Sequence, residues 1–242
     1  MLNKRIKLKK IQYTDKISLV SDLIQEYIVG GQLKVGMELP PEREFAQQLG
    51  VSRFSLREAL RVAQVKGLIE ITRGRKPRVA KPTTSAASEA ISLILRRKEN
   101  VFIELVEARQ ILECQIARLA ASRVTNEQIS RMRESIKRLE QDPDNIQLCV
   151  AKDFEFHEIL IEAAGNRVIQ IMLEPLSELL KESRFKTIQK KGINRAVTAH
   201  KAILCAINER DPDRASQEMH RHLKMAKEDL LLLSQFEDAE KL

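Results

Sequence analysis

The sequence predicts a mainly α-helical protein: an N-terminal winged helix-turn-helix with a small β-hairpin wing, then an all-α antiparallel helical bundle. Three observations carry this. Residues 39–80 read as two short helices around a tight turn, followed by a basic hairpin. From Glu89 onward apolar residues recur at helical spacing, with no convincing strand. The charge is also unevenly divided. Residues 1–82 hold 17 Lys+Arg against 8 Asp+Glu, and the remainder holds 25 against 26. A basic module joined to a near-neutral one suits a nucleic-acid reader attached to a second function. With 242 residues the chain is long enough for two domains. The expected division is 1–81, of which 1–14 is a basic arm, a linker at 82–89, and a helical domain at 90–242.

Taken in order, Ile17 to Val29 carries apolar residues at 17, 20, 24 and 28, a helical stripe that ends at Gly30-Gly31. Pro40-Pro41 precedes a short helix with Phe45, Ala46 and Leu49 on one face. Gly50 breaks it, because glycine accepts a positive φ without a Cβ penalty. Ser52 is a good N-cap for the next helix, since its hydroxyl can satisfy a free backbone N–H. That helix turns Leu56, Ala59, Leu60 and Ala63 toward a core and sets Arg53, Arg57 and Arg61 along one side. Arginines near the start of a helix after a tight turn suit the major groove, where guanidinium pairs with guanine O6 and N7. Ile69 and Ile71 alternate with Glu70 and Thr72 as a half-buried strand would. Arg73 to Arg78 is a turn with four positive charges, suited to phosphates or the minor groove. A row of arginines alone often merely faces water; the order of elements is what points to double-stranded DNA.

Leu39 to Glu44, Gly50 to Arg53 and Arg57 to Leu60 match a Leu-Pro-x-Glu-Arg-Glu lead-in, a Gly-Val-Ser-Arg turn and an Arg-Glu-Ala-Leu recognition helix. In these the stretch resembles the winged helix-turn-helix of the GntR family of bacterial transcription regulators. The resemblance implies that Arg43, Arg53 and Arg57 contact DNA, with Ser52 and Ser55 on phosphates and Arg73-Gly74 at the wing tip. Two departures stand out. Pro41 replaces a frequent capping serine, and Phe54 stands where a small threonine is common.

Lys81 to Ser88 is small and polar, a linker composition interrupted by Pro82. Helices are then expected at Ala90–Arg97, Val101–Arg123, Asn126–Gln141 (capped by Thr125 or Asn126), Ile146–Ala164, Val168–Phe185 with a kink at Pro175, Gly192–Glu209 and Asp213–Leu233. That makes six or seven helices joined by short loops. Cys114, Cys149 and Cys205 form no CxxC pair; an odd number without a framework suits reduced thiols in a cytoplasm, and all three read as core or near-core. No run of about twenty apolar residues would span a membrane, and no apolar segment of signal-peptide type follows the basic start.

The four histidines lie at 157, 200, 220 and 222. Asp153 and His157 are one helical turn apart and share a face. His200 and His222 fall at the middles of later helices, and a bundle can bring such residues to one interior point. One carboxylate and three imidazoles would make a first shell for a divalent ion, Zn²⁺, Ni²⁺ or Mn²⁺. An Asp–His pair one turn apart is also a common surface hydrogen bond, so spacing alone leaves both readings open. His220, two residues from His222, should face solvent. Residues 100–235 resemble the all-helical FCD domain of the FadR-like branch of the family, whose Asp-x-x-x-His and two later histidines are matched by Asp153, His157, His200 and His222. That resemblance implies that Arg109 faces the same cavity and holds an effector carboxylate or orients the liganding aspartate. A structural salt bridge to Glu113 is the other reading of Arg109.

The expectation is therefore a ligand-responsive regulator, a homodimer on a pseudo-palindromic operator, sensing a small organic or sugar acid through a metal-containing pocket, with repression as the default sign. Its rivals are a DNA-binding protein with a purely structural metal and a metal-dependent hydrolase. The hydrolase lacks an obvious general base in the sequence. A metal-free pocket for a long acyl chain is disfavoured because the histidine set is intact.

Overall fold

The computed structural model describes residues 16–98 and 100–239; the expected basic arm at 1–14 lies outside them. The chain divides into two compact units after Ala86.

In the first unit α1 (Lys16–Val29), α2 (Glu42–Gln48) and α3 (Arg53–Val65) precede a two-stranded antiparallel sheet of β1 (Ile69–Glu70) and β2 (Arg78–Val79). Ile69 pairs with Val79 and Glu70 with Arg78. Val20, Ile24, Leu39, Phe45, Leu56, Leu60, Ile69 and Val79 form one buried cluster, so each apolar stripe meets at a common core. The turn between α2 and α3 rests on Gly50 at φ +64°, a conformation that costs a side-chain-bearing residue about 1–2 kcal/mol. Ser52 caps α3 by accepting the Ser55 N–H at 3.0 Å. Pro41 begins α2 without any side-chain cap. Ile71, expected to continue the strand, is exposed, because the sheet ends at Glu70.

In the second unit α4 (Ser85–Leu95) begins inside the stretch expected as linker. Its Ser-Ala-Ala-Ser start shows no apolar stripe, yet alanine is the best helix former, so this start can extend the helix that continues through Leu95. The bundle proper is α5 (Val101–Arg123), α6 (Asn126–Gln141), α7 (Ile146–Ala163), α8 (Arg167–Leu173), α9 (Ser177–Lys191), α10 (Asn194–Asn208) and α11 (Pro212–Ala239). Helix α5 lies along α11 and against α7; α6 packs on α7 and α10, and α9 on α7. The kinked helix expected over 168–185 is instead two helices, joined by a 3₁₀ turn at Glu174–Leu176. Pro175 has no N–H to give, and its ring would meet the carbonyl four residues back. The unit thus has eight α-helices among the described residues. Cys114 and Cys149 are buried as expected, whereas Cys205 is exposed on α10. No helix among the described residues is long and apolar enough to cross a membrane.

Candidate nucleic-acid interface and candidate metal centre

Along α2, α3 and the wing, Arg43, Ser52, Arg53, Arg57, Arg73 and Gly74 are exposed and Ser55 is half-buried. Three of them, Arg57, Ser52 and Ser55, already make structural hydrogen bonds. Arg57 Nη2 donates to Glu42 Oε2 at 2.9 Å, tying α3 to α2, and this pairing raises the guanidinium pKa further. Arg57 is exposed and Glu42 half-buried, so the pair is a weak surface one. Ser52 and Ser55 hydroxyls lie 2.8 Å apart. One donates to the other, which leaves one hydroxyl proton for a phosphate. At the wing tip Gly74 takes φ +77° and Arg75 N–H closes the turn onto the Thr72 carbonyl at 3.0 Å.

In the second unit the bundle brings Asp153 and His157 on α7 to His200 on α10 and His222 on α11, all buried. One ligand atom from each lies within 4.8 Å of the others. His222 Nε2 and His157 Nε2 are 3.3 Å apart. Two nitrogens bound to one ion at about 2.1 Å would stand roughly 3.0–3.4 Å apart, so the separation fits a shared ion. His200 is fully buried, yet neither ring nitrogen has a hydrogen-bond partner among the described residues. Its Nε2 is 3.4 Å from Asp153 Oδ1 without hydrogen-bond geometry. Phe156 stacks on the His200 ring at 4.1 Å and fixes its plane. His220 is exposed, as expected.

Burial pushes the His200 pKa down to about 3, with His157 and two arginines adding to the effect against the pull of Asp153. Burial likewise lowers His222 and His157, the latter against the opposing pull of Glu113. The three imidazoles are therefore neutral near pH 7, the form that binds metals. Burial alone would raise the Asp153 pKa, but Arg184 and the histidines outweigh it and keep the carboxylate ionised. The donor set, three neutral imidazoles and one carboxylate, fits a borderline divalent ion.

Two residues complete the site that sequence reasoning did not assign to it. Glu113 on α5 accepts from His157 Nδ1 at 2.6 Å, which turns Nε2 toward the cluster. Arg184 on α9 is hydrogen-bonded through Nε to Asp153 Oδ2. Glu113 had one signal, its place four residues after Arg109; Arg184 had none. Arg109 makes the salt bridge to Glu113 and lines a cavity beside the cluster, but Asp153 is held by Arg184 instead. Arg109 Nε donates to Glu113 Oε1 at 2.6 Å, and its Nη2 lies 3.4 Å from His157 Nε2.

Cavities flank the cluster on two sides. One, of about 60 Å³, is lined by Arg109, Arg184, Lys191 and Arg195 with Asp153 and Asp229. The other, of about 200 Å³, is lined by Glu113, Glu158 and Glu174 with Arg184 and apolar side chains. Basic side chains outnumber acidic ones in the first, and the reverse holds in the second.

Comparison with known proteins finds relatives for both units. Residues 16–79 match the family model "Bacterial regulatory proteins, gntR family", and residues 104–225 match the FCD domain. The Glc operon transcriptional activator of Escherichia coli K12 is 31% identical over 225 residues, covering 88% of this chain and 87% of that one. The HTH-type transcriptional repressor NanR of Klebsiella aerogenes is 29% identical over 212 residues, covering 85% and 82%. Among solved structures, the Streptococcus agalactiae GntR superposes with a TM-score of 0.66 at 24% identity, covering 88% of this chain and 99% of that one.

Proposed function

Because the chain belongs to the gntR family of bacterial regulatory proteins and carries an FCD domain, it is a DNA-binding transcriptional regulator and not an enzyme, and we propose that it senses a small organic or sugar acid through a divalent metal held by Asp153, His157, His200 and His222. The observation that carries this is His200: a fully buried imidazole with both nitrogens unsatisfied is a cost that a bound ion removes. When bound, the metal would supply a Lewis-acidic position for an effector oxygen.

Charge supports an anionic effector. The three buried carboxylates, Asp153, Glu113 and Asp229, are each matched by a guanidinium, Arg184, Arg109 and Arg195. A divalent ion then adds positive charge that nothing in the pocket balances, and buried charge must be compensated. An acid in the cavity beside Arg109 and Arg184 provides that balance. A homodimer on a pseudo-palindromic operator follows from one recognition helix per subunit, α3, with Arg43, Arg53, Arg57, Ser52, Ser55, Arg73 and Gly74 on the duplex. An activator and a repressor are similarly related to this chain.

A metal that only braces the bundle is the second reading, since four protein donors suffice for a closed tetrahedral site. Melting the purified protein separates the two. Zn²⁺, Ni²⁺ and Mn²⁺ are added singly, with and without a panel of two- to six-carbon acids. An acid present at a hundred times its Kd stabilises by about 2.7 kcal/mol. That gain should vanish under chelation. A metal-dependent melt that no acid shifts favours the structural reading, and a melt indifferent to metal and chelator overturns both.

A further inference from the structure

Among the phenylalanines whose side chains are described, Phe54 alone is exposed, at 70%. It is the second residue of α3, between Arg53 and Arg57, both exposed. N-terminal residues of a recognition helix are those that reach base edges. The chain is poor in aromatic residues, 4% in all, and buries or half-buries the other described phenylalanines. The phenyl ring has no donor or acceptor. In a major groove the feature it can complement is the methyl group on C5 of a pyrimidine. Its neighbours supply the opposite chemistry: exposed arginines for phosphates and guanine, and a hydroxyl pair for phosphate.

We propose that Phe54 is a specificity-determining residue that reads a pyrimidine 5-methyl group, that of thymine in the first place, in the major groove of each half-site. This rests on the DNA-binding reading of the first unit. The neighbouring arginines can pair with guanine but make no contact that a thymine methyl adds to, so the two readouts are separable.

The test uses the full-length protein and a duplex enriched from a random-sequence library by binding to it. Each thymine is replaced singly by deoxyuridine, which removes the methyl and no hydrogen-bonding group. Each cytosine is replaced singly by 5-methylcytosine, which adds the methyl. One thymine per half-site should weaken binding about fourfold on replacement, the factor that burying one methyl-sized group is worth. In Phe54→Ala that preference for thymine over deoxyuridine should fall to unity. In Phe54→Leu part of it should remain, and in Arg57→Ala binding should weaken while the preference persists. A cytosine whose methylation strengthens binding only when Phe54 is present would make 5-methylcytosine a second source of the same group. No sensitive thymine, or a preference unchanged in Phe54→Ala, overturns the proposal. Failure to enrich any duplex would instead overturn the DNA-binding reading beneath it.

Discussion

His200 is where a single side chain says most. Replacing a buried polar group by an apolar one of similar shape is near neutral or stabilising when the group had no partner, and costs about 1–3 kcal/mol when it strands one. No group among the described residues hydrogen-bonds either ring nitrogen, and the ring stacks on Phe156 at 11° between planes. His200→Phe should therefore melt at or above the parent protein when both are stripped with chelator. On adding metal the parent should gain stability and the variant should not. A stripped variant that melts well below the parent would mean that His200 is held for packing, and the metal reading would lose its main support. Glu113 belongs to the same scale. A carboxylate on the far nitrogen of a liganding histidine commonly tunes metal affinity by 10–100-fold, and here Arg109 keeps it ionised: burial alone would raise its pKa, but Arg109 and His157 hold it well below the usual carboxylate range.

Among the elements, α6 and the α8–α9 break show what a sequence can and cannot disclose. Thr125 caps α6 by accepting the Gln128 N–H, while the Gln128 side chain accepts the Thr125 N–H at 3.0 Å, a complete capping box. Thr125→Ala should lower stability by about 1 kcal/mol in denaturant melts, with an unchanged slope; no change would mean that α6 is held by its packing on α7 and α10 alone. The sequence narrowed that cap to Thr125 or Asn126, because capping partners lie three residues apart, and the structure chooses Thr125. Also legible were the turn at Gly50, the cap at Ser52 and the shared face of Asp153 and His157, all local in the chain. Pro175 was legible as a disturbance, but whether it bends a helix or ends it depends on what packs alongside. The links Glu113–His157 and Arg184–Asp153 span 44 and 31 residues. They exist because α5 and α9 both pack on α7, which no spacing rule encodes. Cys205 was misread for a related reason: an apolar stripe along α10 does not say how far around the helix burial extends.

At the scale of the whole molecule, sensing requires the effector and the operator to bias one equilibrium. Whatever the path between the two units, thermodynamics fixes its balance: if the acid changes operator affinity by some factor, the operator must change acid affinity by the same factor. Typical couplings of 1–3 kcal/mol correspond to about 5–150-fold. Two titrations check this on the metal-loaded full chain. Operator binding is measured with and without a saturating acid that shifts the melt, and acid binding with and without saturating operator duplex. The two factors should agree in size and sign, because a ligand can move an equilibrium only by its differential affinity for the states involved. Factors that disagree would mean the acid acts outside the binding equilibrium, for example by removing the metal. An acid that binds tightly yet leaves operator affinity unchanged would have no differential contact with the two states. The pocket around Arg109 would then be a binding site without a regulatory role, and the control of DNA binding would have to be sought elsewhere in the second unit.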